Sequence, residues 1–213
     1  YAANVITGAA IISITLNAAL FRYVPKLIHL LEKNAPVPTN AAAHVPEPSE
    51  DKHRVIVVGY GPSGQIMTGL LRKYDVEVVV LEMNIDTVSR LHKEGIPALH
   101  GDARLRHILK LAGVEHARAI MVTAAAAPAK EIAAAARSLN KRIEVMAYTT
   151  YMRQAQELRT GGNSAFSGEE EVALSMSSAL LRNLGATDEQ VNRESIATRR
   201  SLAGLPPEDL EIA

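Results

Sequence analysis

Three glycines and one acid are the residues whose types and spacing could do chemistry. Gly59-Tyr60-Gly61-Pro62-Ser63-Gly64 follows the apolar β-branched run 55–58 at once, and Glu82 ends a second such run, 76–81. Strand, glycine loop, helix, strand, acid is the order that a dinucleotide-binding unit requires. Gly59 permits the tight turn out of the strand. Gly61 lets a pyrophosphate approach the backbone, and Gly64 lets the helix lie close to the strand. Pro62 sits near the first helical position, where its missing N–H costs nothing. The free N–H groups and positive end of that helix favour an anion. Glu82 stands about 20 residues on, where a carboxylate accepts hydrogen bonds from an adenosine ribose and repels a 2′-phosphate. NAD(H) or an adenine nucleotide (AMP or ATP) is therefore expected over NADP. The alternative is an α/β domain that keeps the loop as a turn and binds nothing.

The elements that must position these groups alternate along the chain. Strands are expected at 55–58, 76–81, 96–100, 117–122 and 143–148. Helices are expected at 65–73, with Ile66, Leu70 and Tyr74 at helical spacing, then through Ile85, Val88 and Leu91, and at 105–111, 127–139 and 151–160. Such alternation predicts a Rossmann-like, doubly wound parallel sheet with helices on both faces. From Ser167 the alternation stops. A helical run over 169–184 carries Val172, Met176, Ala179, Leu180 and Leu184 on one face, to pack on a partner subunit or on its own domain. Thr187 and Gln190 fit a capping box for a further short helix.

The first 21 residues carry no charge, and about 20 such residues span a bilayer core. Arg22, Lys26 and His29 follow, so the positive-inside rule places everything downstream in the cytoplasm. Gly8, Ala9, Ala10, Ala18 and Ala19 suit packing on other membrane helices, and Asn17 suits a helix contact or a transport path. A buried soluble helix is the competing reading. The opening Tyr1 suggests a piece of a longer multi-pass protein. Residues 34–52, rich in Pro and Ala, read as an extended linker.

Composition narrows the classes. Formal net charge is +0 and the basic residues are scattered, which argues against nucleic-acid binding. The absence of Cys excludes a thiol nucleophile and a cysteine metal site. His92, His100, His107 and His116 lack the helical spacing of a zinc pair and read as scattered or satisfied side chains. Glu169, Glu170 and Glu171 could hold a cation, but more often such a run opens a helix and complements its dipole. Asp86 and Arg90 read as an i, i+4 pair.

VIVVGYGPSG, then VVVLE, then GIPALHGDARLRHILKLAGVEHARAIMV resemble the nucleotide-binding half of RCK domains, also called TrkA-N. These regulate potassium channels and cation transporters. The pairing of Gly101-Asp102-Ala103 with Leu111-Ala112-Gly113 is the most specific part. Membrane helix, linker and RCK domain in this order look like the C-terminal end of a Kef-type monovalent cation:proton antiporter. The resemblance implies a regulatory module and not a catalyst. It implies one transmembrane helix and its juxtamembrane end at 1–33, a linker at 34–52, an RCK domain at 53–167 and C-terminal helices at 168–213. Nucleotide would sit on Gly59, Tyr60, Gly61, Pro62, Ser63 and Gly64. Glu82 would hold the ribose with Met83 beside it, and Asp102, Ala103 and Arg104 would lie near adenine or phosphate. Arg104 could face an anion or stand as a surface helix residue. Thr123 would meet the ligand after the fourth strand. Two departures stand out: Ala124 to Ala127 occupy positions where the family offers polar residues, and Tyr148 replaces a frequent Arg. The implied partners are a nucleotide, a second copy in a homodimer, the inner membrane, and a potassium ion and proton moved by a separate transport core.

Two other functions compete. A small NAD-dependent oxidoreductase or epimerase would use a Tyr with Lys four residues on, and no Tyr here has one. A ligand-free structural dimerisation module would fit the alanine run.

Overall fold

In the computed structural model, residues 45–47 and 53–202 are described, with Asn4, Ser13 and Leu16 as isolated helical positions ahead of them. The expected membrane helix, most of the linker and the tail beyond 202 lie outside the described residues. Among the described residues no helix is long and apolar enough to cross a membrane. The chain divides into two units, Tyr1–Thr39 and Asn40–Ala213, and the elements below belong to the second.

Six strands form one parallel sheet: β1 Arg54–Val58, β2 Glu77–Glu82, β3 Ala98–His100, β4 Ala119–Val122, β5 Glu144–Thr149 and β6 Ser164–Ser167. Their order is β3-β2-β1-β4-β5-β6, so the direction of winding reverses between β1 and β4. The central strands are β-branched because both their faces are covered. On one face Val55, Val57, Val78, Val80 and Ala98 meet α2, Ile85–Lys93, through Val88 and Leu91. On the other, Ile56, Val58, Val79, Leu81, Ile120 and Val145 meet α3 (Arg106–Leu111), α4 (Ala129–Leu139) and α5 (Met152–Thr160).

The strands and helices expected between residues 53 and 184 are all present to within a few residues, and β6 is an addition. Its sequence, Ser-Ala-Phe-Ser, is a four-residue edge strand with Ala165 buried and Phe166 exposed. Too few apolar residues lie there for a period to be read. It pairs parallel with β5 in the register Tyr148↔Phe166.

Helix α1, Pro62–Lys73, is turned differently from its apolar stripe. Ile66 is 65% exposed and Tyr74, just past its end, 82%, whereas Gly64 and Thr68 are buried. The close approach at Gly64 sets this rotation, and the bulkier stripe is left outward. Beside it, Met121, Met146, Tyr148 and Phe166 share one face of β4, β5 and β6 and with Met67 line a groove of about 320 Å³.

Two buried ion pairs tie the unit together. Arg54, 2% exposed, bonds both carboxylate oxygens of Glu77, its register partner on β2, at 2.7 and 3.2 Å. It also donates to the Pro46 carbonyl at 2.5 Å, and Val45 packs on the core, so this end of the expected linker lies against the domain. Arg159 bonds both oxygens of Glu170, 2.6 and 3.0 Å, and the Ala165 carbonyl, joining α5 and β6 to α6, Gly168–Asn183. The run Glu169–Glu170–Glu171 therefore opens α6, with Ser167 as cap. Glu169 accepts from Met152 N, and Glu171 pairs with Arg199 at 2.7 Å. Thr187 and Gln190 form the reciprocal capping box of α7, Asp188–Leu202, which at 15 residues is longer than expected. Arg90 pairs with Glu94 at 3.9 Å rather than with Asp86.

Candidate functional site

A cavity of about 640 Å³ opens at the carboxyl ends of β1 and β4, where the sheet reverses its winding. Open parallel sheets bind ligands at this position, and the volume suits a small-molecule site. The glycine loop and the start of α1 form one wall, and Glu82 and Met83 after β2 form another. Gly101, Asp102 and Ala103 follow β3, and Thr123 with Ala124 to Ala127 follows β4.

The three glycines of the loop serve different ends. Gly59 has φ +92, a conformation that side chains oppose, and a Cβ there would lie 3.0 Å from Ala124 Cβ. A Cβ on Gly64 would overlap the Gly59 carbonyl oxygen and sit 2.9 Å from Thr123 Oγ1. Both are required by the protein's own packing. Gly61 is different. It is the N-cap of α1 with φ −69, and a Cβ on it would meet nothing within 4 Å. Gly61 also lines the cavity. Pro62 occupies the first turn of α1 as expected.

Glu82 reaches across to the loop. One carboxylate oxygen accepts from Tyr60 N at 2.7 Å, and the other accepts from Met83 N and Asn84 N at 2.7 and 2.9 Å. A carboxylate has about four acceptor positions, so three backbone amides leave room for about one further donor. Thr123 is 6% exposed and donates its hydroxyl to the carbonyls of Gly59, 2.8 Å, and Val58, 3.1 Å. It holds the loop in place from beneath.

Asp102 lines the cavity, but Arg104 is not among the wall residues. The Arg104 guanidinium instead lies on Asp102, with contacts of 2.6 to 3.1 Å. This side-chain hydrogen bond holds the Asp102 carboxyl below its ordinary value, against an opposing effect of burial. Ser63 and Met83 line the cavity, Met83 with an exposed side chain, while Gly64 lies behind the wall. Sequence reasoning missed two structural supports. Tyr60 N bridges to Glu82, and Pro128 and Ile132 of the α4 approach complete the alanine wall. His92 and His100 bond the Ala98 and Met83 carbonyls at 2.8 and 3.0 Å, and no metal-binding cluster occurs among the described residues.

The model of the TrkA-N domain matches residues 55–167, more than half of the chain. YbaL of Escherichia coli strain K12, described as a cation/proton antiporter, is 30% identical over 179 residues, which cover 81% of this chain. This chain spans about a third, 32%, of that relative's length. The crystal structure of the TrkA-N domain of the E. coli inner membrane protein YbaL superposes with a TM-score of 0.58 at 30% identity. It covers 62% of this chain and 99% of that one. The Shewanella denitrificans Kef CTD in AMP-bound form matches at TM-score 0.58 and 24% identity, over 71% of this chain and 95% of that one. The TrkA-N model covers more than half of the chain, and the chain belongs to the TrkA-N domain family.

Proposed function

We propose that the chain is the cytosolic ligand-sensing regulatory part of a membrane-bound monovalent cation:proton antiporter, with potassium as the transported cation. NAD(H) or an adenine nucleotide occupies the cavity at the β1–β4 junction. Phosphate rests on the amides of Gly61, Ser63 and Gly64 at the α1 N-terminus, and the ribose rests on Glu82. The observation that carries this reading is Gly61. It alone among the loop glycines has no packing reason to lack a side chain, and it faces the cavity. Ligand acts by favouring one arrangement of a homodimer over another, and the linker passes the change to the membrane helix.

The dimer reading is supported by unpartnered apolar surface. Val172, Met176, Leu180 and Leu184 form an exposed stripe on α6, and Ile66 and Leu70 form another on α1. No catalytic role is assigned. The transport core belongs to the remainder of an inner-membrane protein.

Native mass spectrometry of the purified chain tests the reading. A dimer carrying about one adenylate per subunit is the expected result. An empty protein that also fails to take up AMP or NADH would overturn it. The competing reading, a ligand-free dimerisation module, is favoured by the alanine wall and by the three backbone amides that already occupy Glu82. It predicts a dimer with no adenylate.

A further inference from the structure

The buried cation Arg54 has no part in the nucleotide reading. It opens β1, at the end of the sheet opposite the cavity, and is 2% exposed. Its planar fork is divided between two segments of the chain. Nε and Nη2 donate to the two carboxylate oxygens of Glu77 on β2, and Nη2 also donates to the Pro46 carbonyl. The fold makes room for this arrangement. Gly113, just after α3, has φ +80, and a Cβ on it would collide with Arg54 Nη1. A buried guanidinium must keep its acceptors, and its hydrogen bonds are among the strong ones. One of these acceptors, Pro46, lies eight residues back and belongs to no strand or helix. Val45 beside it packs on the core, so an apolar contact and a charge-assisted bond hold this segment together. Val45 and Glu47 each precede a proline in the sequence. That restricts their backbone beforehand and lowers the entropy cost of docking.

We propose that residues 45–47 are a detachable strap by which the domain grips its own linker, with Arg54 as the grip. The proposal rests on the linker reading above and is independent of the nucleotide. While the strap is docked, the upstream chain leaves the domain at Pro46 and not at Arg54. Eight residues of linker are taken up, at most about 26–29 Å of extended chain. Release returns that length to the linker. So short a segment, held by so few contacts, belongs to the part of a structure that opens without global unfolding. The grip acts on the amino ends of β1 and β2, which are register partners at Arg54 and Glu77. The same two strands lead to Gly59 and Glu82 at their other ends, so a load on the docked linker enters the sheet through the strands that frame the cavity.

The chain has no Cys, so spin labels can be placed at will. Glu47→Cys and Lys141→Cys lie at exposed positions, and the full chain carrying both is diluted with unlabelled protein and measured by double electron–electron resonance. One narrow distance distribution is expected. Two further variants release the strap. Val45→Asp opposes the apolar contact and leaves the Arg54–Glu77 pair intact. Arg54→Lys keeps the charge but has no fork to divide between Glu77 and Pro46. Each should spread the distribution over about 15 Å, the reach of a seven-residue coil. A broad distribution in the parent would overturn the docked strap. A narrow one in Val45→Asp or in Arg54→Lys would overturn the assignment of the grip. Neither result bears on whether adenylate binds.

Discussion

Replacing Gly61 and Gly64 by alanine separates what the fold needs from what the ligand needs. At Gly64 the new Cβ would overlap the Gly59 carbonyl and crowd Thr123 Oγ1 at 2.9 Å. Backbone lies on the crowded side, so the helix must move, and overpacking of this kind costs about 1–3 kcal/mol. For a domain of this size that is a fall of roughly 2–12 °C in melting temperature. At Gly61 the same Cβ meets nothing within 4 Å, and φ −69 suits any residue. The loss of unfolded-chain freedom stabilises by about 0.4–1 kcal/mol, and the poorer N-cap opposes it by a similar amount. Gly61→Ala should therefore melt within a few degrees of the parent. Its nucleotide affinity should fall by about tenfold to a hundredfold, the equivalent of losing one charge-assisted hydrogen bond to phosphate. Thermal unfolding of the unliganded proteins and calorimetric titration with AMP measure the two quantities separately. The reasoning fails if Gly61→Ala binds AMP like the parent, or if it is as destabilised as Gly64→Ala.

Arg54→Ala removes the buried guanidinium that pairs with the Glu77 carboxylate, and should cost about 3–5 kcal/mol in chemical denaturation. It should also let the amide hydrogens of Val45 and Glu47 exchange faster, because the Pro46 carbonyl between them loses its donor. Thr123→Val removes the hydroxyl that bridges β1 and the loop and should destabilise by about 1–3 kcal/mol, read from the urea midpoint. Asp102 has its folded pKa depressed by Arg104, so its contribution is present above the unfolded value near 4 and is lost as pH falls through the lower folded value. The melting-temperature gap between parent and Asp102→Asn should therefore be open at neutral pH and close below about pH 4.

Much of the fold was legible because its signals are local. The β-branched runs at 55–58 and 76–81 are the pattern of strands buried on both faces, and the glycine loop between them marks a strand-to-helix turn. Glu82 was legible from its distance as the acid that stands opposite the glycine loop, and its carboxylate does accept from Tyr60 N. Other features depend on contacts between distant residues. Ile66, Leu70 and Tyr74 mark a helical face that should be inward, yet the contact between Gly64 and the Gly59 carbonyl turns it out. Gly64 was legible as a point of close approach, and the rotation it imposes was not. Arg54 reads as a charged residue at a strand boundary, and its burial depends on Glu77 across the register and on Pro46 eight residues back. β6 has one buried apolar residue and takes its place from β5. Arg104 was read as a cation for the ligand or a surface residue; its partner Asp102 lies two positions away, a spacing that marks no known pair.

The central claim is that a nucleotide lies on the amides of the β1–α1 loop with its ribose at Glu82. A crystal structure of the chain grown with AMP tests it most directly. The account predicts phosphate oxygens within hydrogen-bond distance of the backbone N–H groups of residues 61–64, apart from Pro62, and a ribose hydroxyl on a Glu82 oxygen. An empty cavity at saturating AMP, or adenylate bound elsewhere on the protein, would contradict it.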